Sequence, residues 1–188
     1  RLSASTYRTE GYDYFSGPLD VNGITESQTC KNWDQRFSVN GDNIKKHIQA
    51  WNNAQLPGQH LDCTKIPVDV KYWPAQGNPY FAEKYGWELP DQPLAAYWDY
   101  NSDGKYNPCD GDYPMLDDNK CQKGFHEGKL VPAEINFLVY NDNGNEHTLS
   151  GPNRIQMEIQ VNAYAYSAHD ELNDMTFYQY KLINKSQD

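Results

Sequence analysis

Residues 99–110 carry the side chains best suited to chemistry, because their oxygen atoms recur at the spacing of a calcium-binding loop. Counted from Asp99 as position 1, oxygen-bearing side chains fall at positions 1, 3, 5, 9 and 12, which are Asp99, Asn101, Asp103, Asn107 and Asp110. Calcium takes about six to eight oxygen ligands, and alternate residues of a tightly turning loop can all face one ion. Gly104 at position 6 permits the sharp turn, and Lys105 at position 7 offers its carbonyl oxygen. The spacing therefore predicts a Ca²⁺ site, with Asp112 as a supplementary ligand or a contact to a second ion.

The alternative is an acidic turn that binds no metal, since Asp, Asn and Gly favour turns in any case. A sensor EF-hand is excluded because Pro90 and Pro93 precede the loop and Pro108 and Pro114 interrupt its far side, so that no long helix can flank it. The loop resembles those of dockerins and thrombospondin type 3 repeats, in which calcium holds irregular chain together. This resemblance implies a structural clamp rather than a calcium switch.

The composition is that of a folded, acidic protein. The chain has 188 residues and a formal net charge of -10. Proteins that bind nucleic acid carry basic patches, so this charge argues against nucleic acid as a partner. Aromatic residues make up 14% of the chain, which is too many for a disordered protein, and 15 of them are tyrosines. No apolar stretch approaches the ~20 residues of a membrane span, so we expect no direct membrane insertion.

The cysteines favour an oxidising, extracellular compartment. Four of them, Cys30, Cys63, Cys109 and Cys121, allow three disulfide pairings. None stands in a Cys-x-x-Cys motif, so two disulfides are a better interpretation than a zinc site. Proximity in the sequence favours the pairs Cys30–Cys63 and Cys109–Cys121, the second of which would join the calcium loop to the turn that follows it.

Hydrophobic periodicity locates the regular elements. Ile44, Ile48 and Trp51 fall at helical spacing and predict a helix over residues 42–54. A β-rich run over residues 135–140 and a strong turn signal predict a hairpin into residues 146–149.

Residues 155–166 alternate between apolar and polar side chains, which predicts a long antiparallel strand with one buried face. Residues 175–184 form a further strand. We therefore expect a mostly β fold with one domain over residues 1–188. An antiparallel β-sandwich (132–188) would carry an irregular, Pro- and Trp-rich half with one short helix (1–98) and the calcium loop (99–114).

Six segments of the chain carry a family resemblance. They are residues 13–19 (DYFSGPL), 30–37 (CKNWDQRF), 73–81 (WPAQGNPYF), 99–114, 139–148 (VYNDNGNEHT) and 176–186 (TFYQYKLINKS). Together they resemble the N-terminal region of large secreted proteins of Bacteroidota, which commonly end in a type IX secretion sorting domain. The resemblance implies an extracellular or cell-surface location and supplies no catalytic residues. In that family the last strand runs on into further sequence, so we expect the full protein to be longer.

Three roles remain open. The first is a structural, adhesion or assembly domain whose partners are other cell-surface proteins or the rest of its own chain. The second is a carbohydrate-binding module, for which Trp73 and Trp87 in Pro- and Gly-rich loops are the expected exposed stacking rings, whereas Trp33, Trp51 and Trp98 are expected in the core. The third, a domain of an extracellular hydrolase, is the least favoured, because the chain has no nucleophile elbow, His-Glu-x-x-His motif or phosphate-binding loop. We therefore expect no enzyme activity.

Overall fold

The computed structural model describes residues 13–116, 131–144, 147 and 153–186. Within these residues the chain forms seven β-strands and four α-helices, joined by turns and short 3-10 helices. The strands are β1 (Phe15–Ser16), β2 (Phe37–Asn40), β3 (Tyr97–Trp98), β4 (Tyr113–Pro114), β5 (Glu134–Asn141), β6 (Met157–Ala165) and β7 (Thr176–Asn184). The helices are α1 (Ser27–Asn32), α2 (Gly41–Ala54), α3 (Val68–Lys71) and α4 (Phe81–Tyr85).

Two antiparallel sheets contain the strands. The larger sheet has the order β1-β5-β6-β7, and β2 also pairs with β5. At one edge Phe15 lies opposite Asn141 and Ser16 opposite Tyr140. The smaller sheet consists of β3 and β4. The expected β-rich fold is confirmed, and the finer expectation of a sandwich stays a prediction.

Helix α2 confirms the helix predicted over residues 42–54. The Asn40 side chain accepts a hydrogen bond from the backbone N–H of Asp42 at 2.9 Å and so caps the first turn. Ile44 and His47 face inward and are buried. The expectation of a single short helix is wrong, because α1, α3 and α4 are also helical. Each has six residues or fewer, which is too short to give a periodic hydrophobic signal.

The described residues gather into two compact units, and the expectation of one domain over residues 1–188 stays a prediction. Of the described residues, 13–36, 137–144, 147, 153–162 and 178–186 belong to the first unit, and 37–116, 131–136 and 163–177 belong to the second. The buried apolar residues of the first unit are Leu19, Trp33, Phe137, Val139, Ile159 and Val161. Those of the second are Phe37, Val39, Ile44, Ile66, Val70, Trp73, Ala75, Phe81, Leu94, Ala95, Tyr106 and Ile135.

Strand β6 differs from its prediction, because both of its faces are covered. Ile159 and Val161 are buried as expected, but the alternating polar residues Glu158, Gln160 and Asn162 are buried too. Hydrogen bonds satisfy two of them: Glu158 accepts one from Leu19 N at 2.9 Å and one from the Gln160 amide at 2.8 Å. Burial raises the pKa of the Glu158 carboxyl. The alternating pattern therefore predicted the strand correctly, but its prediction that the polar face is exposed to solvent is wrong.

Two predicted features lie outside the described residues. Of the hairpin partner predicted over residues 146–149, only His147 is described. Cys121 also falls outside them.

Candidate functional site

The predicted calcium loop is closed at its base by the small sheet. Tyr97 lies opposite Pro114 and Trp98 opposite Tyr113, so that residues 99–112 project as one excursion, which we call the acidic loop. Its backbone has positive φ angles at Ser102 (60°), Gly104 (78°) and Gly111 (98°). Gly104 therefore takes the left-handed conformation that the sequence assigned to position 6 of a calcium loop.

The first half of the acidic loop (99–105) holds three of the predicted ligands in one turn. The Asp99 carboxylate accepts hydrogen bonds from the backbone N–H groups of Asp103 at 3.2 Å and Gly104 at 2.8 Å. The Asn101 carbonyl oxygen accepts one from Asp103 N at 3.1 Å, and its amide donates to the Asp103 carboxylate at 3.1 Å. Asp103 in turn accepts one from Lys105 N at 2.8 Å. These bonds draw the Asp99, Asn101 and Asp103 side chains together on an exposed turn.

The second half of the acidic loop (106–112) is anchored in the interior. Tyr106 is fully buried, and its hydroxyl donates to the Val70 carbonyl at 2.7 Å, while its backbone N–H donates to the Gln76 carbonyl at 2.7 Å. The Asn107 amide donates to the Asp110 carboxylate at 2.7 Å. Asp110, at position 12, is thus tied to position 9 of the same half of the loop.

Asp112 braces the acidic loop from within. Its side chain is fully buried, and one carboxylate oxygen accepts a hydrogen bond from Tyr100 N at 2.8 Å while the other accepts one from Asn107 N at 2.7 Å. It therefore connects positions 2 and 9 of the loop. A role as supplementary ligand stays a prediction, but this bracing was not anticipated, because its partners are backbone groups that carry no sequence signal.

The loop concentrates negative potential. Burial, with repulsion from Asp99 and Asp103, raises the pKa of Asp112 to about 6, against the opposing effect of its two N–H donors. Burial likewise raises the pKa of Tyr97 to about 12, with contributions from Asp99, Asp112 and Asp103. Burial is the larger cause of both pKa shifts and the neighbouring carboxylates add to it, so a cation bound near Asp99 and Asp103 would lower both pKa values.

The donor chemistry of the first half fits calcium. Each Asp99 oxygen accepts a single N–H, and a carboxylate oxygen has two lone pairs, so acceptor capacity remains. The Asn101 carbonyl, the Asp103 carboxylate and the Lys105 backbone carbonyl would complete an all-oxygen set. In the part of the chain that the structure describes, no three His, Cys, Asp or Glu side chains converge as a metal-ligand group. The fit therefore depends on amide and backbone oxygens as well as carboxylates.

Helix α2 packs against the far end of the loop. The His47 imidazole Nε2 lies 3.0 Å from the Asp112 carbonyl oxygen, and burial lowers the pKa of this histidine. One turn later, the Trp51 ring makes an edge contact with Tyr100, with ring centroids 5.1 Å apart. A Cβ at Gly111 would overlap the Trp51 ring, so this position requires glycine both for space and for its positive φ.

The disulfide pairing predicted from sequence proximity is wrong. Cys63 is bonded to Cys109, 46 residues away, with a Cα–Cα distance of 5.6 Å. Cys30 is not bonded to Cys63 and carries a free thiol. Proximity along the chain failed because the 3-10 turn Cys63–Lys65 and the acidic loop are brought together by the fold.

The aromatic residues proposed for sugar stacking are not placed as expected. Trp73 is 1% exposed, and its indole N–H donates to the Ala96 carbonyl at 3.0 Å, so the prediction that it is exposed is wrong. Trp87 is half-buried and packs edge-on against Phe81, with centroids 4.7 Å apart. The expectation of a core position is confirmed for Trp33, which is 3% exposed, whereas Trp51 and Trp98 are half-buried.

Two tyrosines on β7 have the geometry that sequence reasoning assigned to tryptophans. Tyr178 and Tyr180 are 62% and 57% exposed, and their rings stack at an interplanar angle of 24° with centroids 6.5 Å apart. Residues two apart on a strand share a face, so alternation along residues 175–184 could have indicated the pair.

A cavity of about 480 Å³ lies in the first unit. Its charged lining residues are Lys31 and Asp34, and the Asp34 carboxylate accepts a hydrogen bond from the Ser16 hydroxyl at 3.3 Å. The Cys30 thiol also lines it, but burial raises the pKa of this thiol. A thiol that stays protonated is a weak nucleophile, so the cavity supplies no activated nucleophile of this kind. Its lining comprises Phe15, Ser16, Ser27, Cys30, Lys31, Asp34 and Gly144.

No helix in the described ranges is both long and apolar enough to cross a membrane. No protein-family model matches the chain, and comparisons with curated proteins and with solved structures give no significant match.

Proposed function

We propose that this chain is a calcium-stabilised structural domain of a secreted or cell-surface protein, acting in adhesion or assembly rather than catalysis. Its acidic loop would hold Ca²⁺ through Asp99, Asn101, Asp103 and the carbonyl oxygen of Lys105, with Asn107 and Asp110 as the further predicted ligands at positions 9 and 12. The bound ion would neutralise the carboxylates and rigidify an otherwise exposed turn. The Cys63–Cys109 disulfide is compatible with an oxidising extracellular compartment. The resemblance to secreted proteins of Bacteroidota, with export by the type IX route, agrees with this location, as does the predicted sandwich architecture.

The observation that carries the proposal is the turn of the first half of the loop. Two carboxylates and one amide are gathered within five residues by hydrogen bonds to backbone N–H groups, and the base of the loop is closed by β3 and β4. Two carboxylates held on one exposed turn repel each other, and a bound cation would offset that repulsion. The partners of such a domain would be other cell-surface proteins or further parts of its own chain.

Calcium is expected to raise the melting temperature of the oxidised protein by about 5–10 °C. Free calcium at about 100 times its dissociation constant stabilises the folded state by about 2.7 kcal/mol, and each kcal/mol shifts a domain of this size by about 2–4 °C. Asp103→Ala should abolish the shift, because it removes a carboxylate from an exposed turn with little effect on the core. The measurement is a thermal melt in calcium chloride and in excess EGTA.

Glu88→Ala is the matched control, since Glu88 is an exposed carboxylate outside the acidic loop. It should retain the full calcium shift. An unchanged melting temperature in the parent protein would identify residues 99–112 as an ordinary acidic turn. An equal loss of the shift in both variants would point to non-specific charge screening.

A second candidate function, carbohydrate binding, is favoured by the β7 tyrosines rather than by the predicted tryptophans. Stacking on a sugar requires exposed aromatic rings, and Tyr178 and Tyr180 are both exposed, with ring planes within 24° of parallel. Trp87 remains half-buried beside Phe81, and Trp73 presents no exposed face.

If glycans bind at β7, Tyr178→Ala/Tyr180→Ala is expected to weaken binding by about tenfold or more, because stacking on each ring contributes about 0.5–1.5 kcal/mol. A soluble oligosaccharide panel followed by calorimetry on any binder measures this. Leu182→Ala is the control, being 67% exposed on the same strand without a ring. Failure of the parent protein to retain any glycan would remove this candidate and leave the calcium proposal untouched.

A further inference from the structure

One end of the Cys63–Cys109 disulfide lies within the acidic loop. Cys109 occupies loop position 11, inside the 3-10 helix Pro108–Asp110, between the predicted ligands Asn107 and Asp110. Its backbone N–H donates to the Asn107 side chain at 3.1 Å, so any movement of Cys109 is transmitted to position 9. The bond therefore restrains the segment that contributes two of the predicted ligand positions.

The other half of the disulfide is held by a separate turn. Asp62 caps the 3-10 helix Cys63–Lys65, accepting hydrogen bonds from Thr64 N at 3.0 Å and from the Thr64 hydroxyl at 2.6 Å. These contacts are local to the turn and involve no residue of the acidic loop. The covalent bond thus ties this separate turn to the acidic loop.

Both cysteines are half-buried rather than enclosed. The Tyr80 hydroxyl lies 3.0 Å from the sulfur of Cys109 and covers it in part. Exchange requires direct attack of a thiolate on a disulfide sulfur, so partial exposure leaves the bond open to reductants.

We propose that the Cys63–Cys109 disulfide is a redox latch on the acidic loop, whose reduction loosens residues 107–111 and weakens calcium binding. This inference rests on the calcium function proposed above. In the reducing step one thiol of a dithiol attacks one sulfur of the Cys63–Cys109 bond, releasing the other cysteine and forming a mixed disulfide. The second thiol of the dithiol then displaces the remaining protein cysteine. The S–S bond breaks, two cysteine S–H bonds form, and the dithiol is oxidised to a cyclic disulfide.

Reduction is expected to weaken calcium binding without abolishing it, because other contacts still hold the loop. Tyr106 remains bonded to Val70 and Gln76, and Asp112 still connects Tyr100 to Asn107. What reduction removes is the restraint at position 11. The loop then samples more conformations before an ion binds, and calcium must offset that entropy when it orders the ligands.

The test is calorimetric titration of the full chain with calcium chloride, before and after reduction with dithiothreitol under nitrogen. We expect reduced protein to bind calcium about tenfold more weakly, which corresponds to about 1.4 kcal/mol. Cys63→Ser/Cys109→Ser should reproduce the weaker binding without reductant. Cys30→Ser, which removes the free thiol, should behave as the parent protein in both states.

Limited proteolysis in EGTA supplies a readout that does not depend on calcium. Cleavage within residues 99–112 should be faster in the reduced protein, with circular dichroism showing that the rest of the chain stays folded. Equal calcium affinity together with equal cleavage rates would overturn the latch. An absence of calcium binding in the oxidised protein would instead refute the proposed function, and the cleavage rates alone would then decide whether the disulfide restrains the loop.

Discussion

Trp73→Ala is expected to lower the free energy of unfolding by about 3–5 kcal/mol, the usual loss when a large aromatic side chain is removed from a packed core. Trp73 is 1% exposed and is among the largest fully buried side chains of the protein. The substitution also removes the indole N–H that donates to Ala96, leaving that carbonyl without this donor. Chemical denaturation of the parent and variant proteins measures the difference.

Trp87→Ala is the matched control, because Trp87 is half-buried and contacts Phe81 at its ring edge. Its loss should be clearly smaller. A loss below about 1 kcal/mol for Trp73→Ala would mean that the ring is not part of the core, and it would reopen Trp73 as a sugar-stacking residue.

Asp112→Ala is expected to destabilise the protein by about 2–4 kcal/mol, because it removes a buried side chain and leaves the half-buried N–H groups of Tyr100 and Asn107 without their acceptor. Asp112→Asn retains one acceptor oxygen and should lose less. Asp110→Asn, two residues earlier and half-buried, should have the smallest effect of the three.

The Asp112 carboxyl also makes stability depend on pH. Its pKa rises from an ordinary value near 3.8 to about 6 in the folded protein, so the folded state holds a proton that the unfolded chain releases. The resulting stabilisation is fully present below about 3.8 and is lost as the pH rises through about 6. In calcium-free buffer, the stability gap between the parent and Asp112→Asn should therefore be larger at pH 4 than at pH 7.5. A gap independent of pH would contradict the assigned titration.

Elements with a long hydrophobic period were predictable from sequence, and short ones were not. Helix α2 and strands β5 and β7 were found within two residues of their bounds, because many side chains repeat the same pattern. β1, α1 and α3 have too few residues to show a period, and they form because neighbouring chain supplies their partners.

The candidate site was predictable only in its ligand spacing. Asp99, Asn101 and Asp103 are close in sequence, and local hydrogen bonds are enough to gather them. The bracing by Asp112 and the pairing of Cys63 with Cys109 both depend on chain packing. Two prediction errors also arise from chain packing that the sequence pattern does not show. A Pro- and Gly-rich segment suggested that Trp73 is exposed, and alternation along β6 suggested that its polar face is open to solvent.

Only the second half of the acidic loop is anchored in the interior, so selection for folding and selection for calcium binding would act on different residues. A library of loop variants sorted only for folding would be constrained at Tyr106, Gly111 and Asp112, whose side chains or close contacts lie in the interior. Residues 101–105 are all exposed, so selection for folding alone would constrain them little, apart from Gly104, whose positive φ the turn requires. Sorting for metal retention as well would narrow the choice at Asn101 and Asp103. Selection for folding therefore acts mainly on the second half of the loop and selection for calcium adds constraints in the first, while Asp112 links the two through Tyr100 and Asn107.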